Sequence, residues 1–304
     1  MVKNNLSKVW LPLFILIVLL FGYLNFIDPE HTKNIFSNNN PISPGGEVDT
    51  LSIFPEGGYL IPVEFADLGS ELIKTGVIDR TKFIRVYENA GRPLSDEQLK
   101  ILDGLYAGQI QINEENSYFL LNFLWAVGLA NKNPVLNSGA MHSFTNGNIE
   151  TFASTGGWKL TSRPIKEVFS NHQLIHLNTE QQKTVESAAA KIFRPCCNNP
   201  VSFPDCNHGM AMLGLLELMG SQNKTEKEML EAAKFMNAYL FRDQTVAQAI
   251  YFKMAEKTDF GDVDAERILS SLFSSSAGFY DLHNYLIEKD WIPTTTGNLN
   301  NCGV

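Results

Sequence analysis

Three of the four cysteines of this 304-residue chain fall within eleven residues. They lie in the segment Arg194-Pro195-Cys196-Cys197-Asn198-Asn199-Pro200-Val201-Ser202-Phe203-Pro204-Asp205-Cys206-Asn207-His208-Gly209. Thiolate and imidazole suit soft or borderline ions, so Cys196, Cys197, Cys206 and His208 form a candidate tetrahedral set for Zn(II) or Cu(I). The spacing departs from that of ordinary zinc knuckles, whose paired ligands stand two to four residues apart. Here two cysteines are adjacent, and one residue separates Cys206 from His208.

The same residues admit two other chemistries. Cys206 falls at the expected start of a helix, where unpaired N–H groups favour an anion and depress a thiol pKa. That suits a thiol-disulfide redox protein in which Cys206 attacks, Cys196 or Cys197 resolves, and His208 moves protons. Alternatively, a Cys196–Cys206 or Cys197–Cys206 disulfide staples the loop of a partner-binding or structural domain, stabilising it by about 2–3 kcal/mol. Cys302 would then pair with the remaining cysteine. The leading expectation is a metal-binding module with a CC-x8-C-x-H loop and no assigned reaction.

Other polar and soft residues are secondary ligand candidates. Six of the eight methionines fall between Met210 and Met254. Met210 or Met212 would suit Cu(I), whereas Met219, Met229 and Met236 stand in helical register and read as core. Met141 and His142 in a polar stretch, and the pair His172 and His176, are weaker ligand candidates. Arg163 and Arg194, each before a proline, read as carboxylate clamps or solvated ion pairs. Trp158 is expected to anchor a long polar loop, and Glu114, Glu115, Asp262 and Asp264 are expected at helix starts.

The elements that must position the loop are mainly helical. One helix is expected to end near Phe193, because Pro195 cannot continue it. Another opens near Asn207 or His208, capped by Asp205 or Asn207, and runs through Met219. Capping boxes are read at Ser95/Gln98, Thr179/Gln182 and Thr225/Glu228. Residues 66–76 form a short helix, and the apolar run from Asn116 is a candidate central helix. Further helices are expected near 243–257, 264–274 and 279–289. Tyr59–Phe65 and Gln173–Leu177 are strand-like and would make one minor ribbon, while 137–165 reads as a long Gly-rich loop. The fold class is thus a single globular, mainly α domain. No P-loop, G-x-G-x-x-G, H-E-x-x-H or G-x-S-x-G motif is present.

The start of the chain carries a compartment signal. Residues 9–27 are apolar without a charge, close to the ~20 residues that span a bilayer as a helix, and no small-residue cleavage site follows. Lys3 and Lys8 precede this run and Asp28 and Glu30 follow it. The expectation is a signal anchor with residues 1–8 cytoplasmic, a flexible stalk at 28–50, an extracytoplasmic domain at 51–291 in the cell envelope, and a tail at 292–304. With 24 Lys+Arg against 33 Asp+Glu, the net charge of −9 disfavours a nucleic-acid partner. Hydrophobic residues at 44% are enough for a sizeable core.

Overall fold

A computed structural model describes residues 48–145 and 148–293. The expected anchor, most of the stalk, and Cys302 lie outside these residues. Among the described residues, no helix is long and apolar enough to cross a membrane. The last residues assigned to the stalk already belong to the fold. Asp49 accepts the Leu51 N–H at 3.0 Å and caps a one-turn helix, Thr50–Ile53, whose Ile53 is buried.

The architecture is mainly helical, with one small antiparallel sheet. Nine helices of seven residues or more occur among the described residues. They are α1 (Leu68–Lys74), α2 (Arg80–Asn89), α3 (Asp96–Leu102), α4 (Ser117–Ala130), α5 (Thr179–Lys191), α6 (Asn207–Ser221), α7 (Glu226–Leu240), α8 (Arg242–Tyr251) and α9 (Ser276–Glu288). The sheet joins β1 (Tyr59–Glu64) to β2 (Gln109–Ile112), in the register Tyr59↔Ile112, Leu60↔Gln111 and Ile61↔Ile110. The ladder is irregular between Ile61 and Glu64, where Pro62 lacks the N–H that pairing needs.

Several expectations are corrected here. Gln173–Leu177 is not a strand, and only an isolated bridge joins His172 to Asn131. Gln173, Ile175 and Leu177 line a cleft, and the Ile175 N–H donates to the Asn131 side chain at 2.8 Å instead of to a neighbouring strand. The partner of β1 is β2, a four-residue run whose Ile110 and Ile112 alternate with Gln109 and Gln111, too short to stand out by periodicity. The stretch 137–165 holds single turns of helix and is pinned by Trp158, which is buried and donates its Nε1–H to the Val77 carbonyl at 2.9 Å. The boxes at Ser95/Gln98 and Thr225/Glu228 form. The third slides one residue, to Asn178 and Gln181, because Gln182 turns inward and donates to Asn133 Oδ1 at 3.0 Å.

Two helices make the centre. In α4 every residue from Phe119 to Ala130 is buried, and in α6 every residue from Asn207 to Gly220 is buried. Neither presents a polar face to water, so they pack on each other and are wrapped by the rest. Their backbones touch: a Cβ on Gly128 would lie 2.1 Å from the Met210 carbonyl oxygen, and one on Gly214 would lie 2.4 Å from that of Leu124. Met210, Met212, Met219, Met229 and Met236 all pack in the core.

One carboxyl group is buried in this core. Glu217 of α6 is fully buried and accepts the Asn133 Nδ2–H at 2.6 Å. Burial pushes its pKa up to about 8, against the opposing pull of the Asn131 and Asn133 amides.

Two outcomes are expected. Gly214→Ala forces the central helices apart and costs about 3 kcal/mol or more, read by chemical denaturation. Glu217 stays protonated in the folded chain after it has ionised in the unfolded one. Its contribution therefore makes stability fall as pH rises from about 4.5 to about 8, by up to about 1.4 kcal/mol per pH unit, and level off above. Glu217→Gln flattens that slope.

Candidate metal centre

The site is a chain reversal between α5 and α6. Helix α5 stops at Lys191, and Ile192 turns extended (φ −97°, ψ 115°) ahead of Pro195. The loop then folds back on the helix it has left. The Val201 N–H donates to the Ile192 carbonyl at 2.9 Å and the Ser202 N–H to that of Ala189 at 3.0 Å. The start of α9 closes over the far side, with the Ser276 N–H on the Cys197 carbonyl at 2.9 Å and the Ala277 N–H on Asn198 Oδ1 at 2.8 Å.

Cys206 itself caps α6, in place of the expected Asp205 or Asn207. Its backbone is extended (φ −116°, ψ 163°) and its Sγ accepts the Gly209 N–H at 3.4 Å. A sulfur is a weak acceptor as a thiol and a good one as a thiolate, so this position favours the anion. Two residues on, His208 is buried, its ring 4.6 Å from that of Phe241 and its Nδ1 without a hydrogen-bond partner.

All four expected ligands come together. Cys196 Sγ stands 3.6 Å from Cys206 Sγ. One ligand atom each from Cys196, Cys206 and His208 lie within 4.8 Å of one another, as do those of Cys197, Asp205 and Cys206. Cys206 is common to both groups and is the hinge of the site. None of the three sulfurs is in a disulfide among the described residues. Met210 and Met212 are core residues, and neither His172, His176 nor His142 joins a ligand group among the described residues.

Arg194 clamps a carboxylate, one of its two expected roles, by pairing with Asp205, but it does so wholly buried beneath the loop and not as a solvated ion pair. Its Nη1 donates to the Asn199 carbonyl at 2.9 Å, and its Nη2 to Asp205 Oδ1 at 3.2 Å and to Cys206 Sγ at 3.4 Å. Asn199 Nδ2 donates in turn to Asp205 Oδ2 at 2.7 Å, closing the ring of contacts. Gly209 makes room for the guanidinium, since a Cβ there would sit 2.5 Å from Nη2. Nothing in R-P-C-C announces an inward arginine, because a surface arginine before a proline reads the same way.

The charges in the site are interdependent. Hydrogen bonds from Cys196 and Cys197, with Arg194 and His208 adding to them against the cost of burial, hold the Cys206 thiol well below its ordinary range. At Cys197 the bond to Cys196 pulls down, yet the bond to Cys206 and burial outweigh it and push the thiol up to about 11. Burial opposes the charge on Arg194, but Cys206, Cys197 and Cys196 together hold its pKa above the usual arginine value. The cluster can therefore offer one ready thiolate, two more sulfurs and an imidazole, over a fixed positive charge.

In the metal-free chain, Cys206 is expected to react with iodoacetamide with a pH midpoint below that of an ordinary cysteine, and Cys197 above it, as read by peptide mass mapping over a pH series. Arg194→Met leaves Asp205 facing the Cys206 sulfur with no cation between them. It is expected to lower stability by about 3–5 kcal/mol in denaturant titrations.

Compared with known proteins, the chain matches no family model, no curated protein and no solved structure.

Proposed function

We propose that the chain is a metal-binding protein whose centre is Cys196, Cys206 and His208 with Cys197 as the fourth ligand, taking Zn(II) or Cu(I). One observation carries this reading: the 3.6 Å between the sulfurs of Cys196 and Cys206, with the imidazole of His208 alongside. Two sulfurs bonded to one tetrahedral zinc at about 2.3 Å stand about 3.8 Å apart, whereas a disulfide holds them at about 2.05 Å. The observed separation is close to the first. The unpartnered Nδ1 of His208 and three sulfurs outside any disulfide are the donor types that such an ion takes. Arg194 adds a buried positive charge that offsets an anionic thiolate complex, and Asp205 and Asn199 fix it in place.

The role that follows is that of a metal-handling or metal-stabilised module. On the sequence alone, residues 9–27 anchor it in a membrane with the site on the extracytoplasmic side. Impermeant maleimide labelling of intact cells tests that topology.

Protein prepared without chelator is expected to carry one zinc or copper per chain by elemental analysis, and Co(II) loading to give the visible bands of a tetrahedral thiolate site. Cys206→Ser abolishes both, and metal at 100 times its dissociation constant stabilises the fold by about 2.7 kcal/mol. Metal-free protein with no uptake of Zn(II), Co(II) or Cu(I) refutes the assignment.

A further inference from the structure

We propose that the cluster has a second activity, thiol–disulfide exchange with small disulfides, which bridges Cys196 to Cys206 and releases the bound ion. The release rests on the metal reading above; the exchange does not. The geometry of the loop carries the argument. The sulfurs of Cys196 and Cys206 are in contact at 3.6 Å, so a shift of about 1.6 Å makes the bond. Cys206 is held at the head of a buried helix, while Cys196 sits in an irregular turn outside any helix or strand. The partner that must move is thus the one on the freer backbone. The nine-residue reversal between them is already closed by Arg194, Asn199 and Asp205, so bridging demands little further ordering.

Reversibility is built into the same contacts. The Gly209 N–H and Arg194 Nη2 both donate to the Cys206 sulfur, at 3.4 Å each. They stabilise it as a leaving thiolate when the bridge is reduced, and a disulfide whose reduced form is stabilised is a labile one. Cys197 places a third sulfur beside Cys206, within reach of the bridge. Cys196 and Cys206 are both half-buried.

The steps balance. The Cys206 thiolate attacks one sulfur of the small disulfide RSSR, a Cys206–SR bond forms, and RS⁻ leaves. The Cys196 thiol gives its proton to that RS⁻ and attacks the Cys206 sulfur, the Cys196–Cys206 bond forms, and the second RS⁻ leaves. Two electrons pass from the protein sulfurs to RSSR, and the second RS⁻ takes its proton from water. An ion that has lost two thiolate ligands is left with too few donors and dissociates.

The test uses the full chain carrying Cys302→Ser, zinc-loaded and metal-free, treated with oxidised glutathione. Zinc is followed with a chromogenic chelator and the sulfurs by intact mass and peptide mapping. The expected result is loss of two hydrogens, a Cys196–Cys206 bridge and release of one zinc per chain, all reversed by dithiothreitol and fresh zinc. Cys197→Ser keeps the bridge, whereas Cys196→Ser prevents it and so separates exchange from general unfolding. A metal-free chain that stays unbridged, or gathers only glutathione adducts, overturns the proposal. If the metal-free chain bridges but the protein never takes zinc, the exchange stands and the metal reading falls. If zinc-loaded protein bridges and still keeps its zinc, the coupling between them is refuted.

Discussion

The structure turns on a close approach of two helix backbones. Helices α4 and α6 meet at Gly128 and Gly214 with no side chain between them, and α6 is buried from Asn207 to Gly220. A helix enclosed on every side cannot roll or slide without opening a cavity or a clash, since protein interiors are packed as densely as organic crystals. The first turn of α6 carries Cys206 and His208, so the core of the fold fixes two of the four candidate ligands. The other two arrive on a loop and are brought to a point that is already set.

What holds that loop is charge. A guanidinium removed from water is unfavourable unless it is paired and hydrogen-bonded, and Arg194 has both kinds of partner in Asp205, the Asn199 carbonyl and the Cys206 sulfur. The dependence is mutual. Cys206 helps keep Arg194 charged, and Arg194 adds to the hydrogen bonds from Cys196 and Cys197 that hold the Cys206 thiol below its ordinary range. The site is polarised before any ligand arrives, which is the condition for both metal uptake and sulfur exchange. Further along α6, Glu217 shows the opposite solution. With only amide partners in the core, it holds its proton.

Much of this was legible residue by residue. Pro195 and the polar loop after it mark the end of α5, the unbroken apolar run after Asn116 marks a central helix, and the short range over which Cys196, Cys197, Cys206 and His208 recur marks a shared site. Each signal is local, within one turn or one loop, which is the range over which propensity and capping act. The misreadings are those in which a distant partner wins. β1 pairs across nearly fifty residues with a strand too short to show a period, and Gln182 leaves a capping box for Asn133.

Composition and order of residues alone therefore determine that the domain is mainly helical, that a cysteine–histidine reversal joins two helices, and that Met219, Met229 and Met236 belong to a core face. Only the tertiary structure decides that Cys206, not its neighbours, caps α6, that Arg194 points inward, and that Gly209 is small to admit it. The physical reason is that burial belongs to the packed whole. An arginine in a loop has the same covalent neighbours whether it faces water or a sulfur, and its charge acquires a role only when the chain around it excludes the solvent.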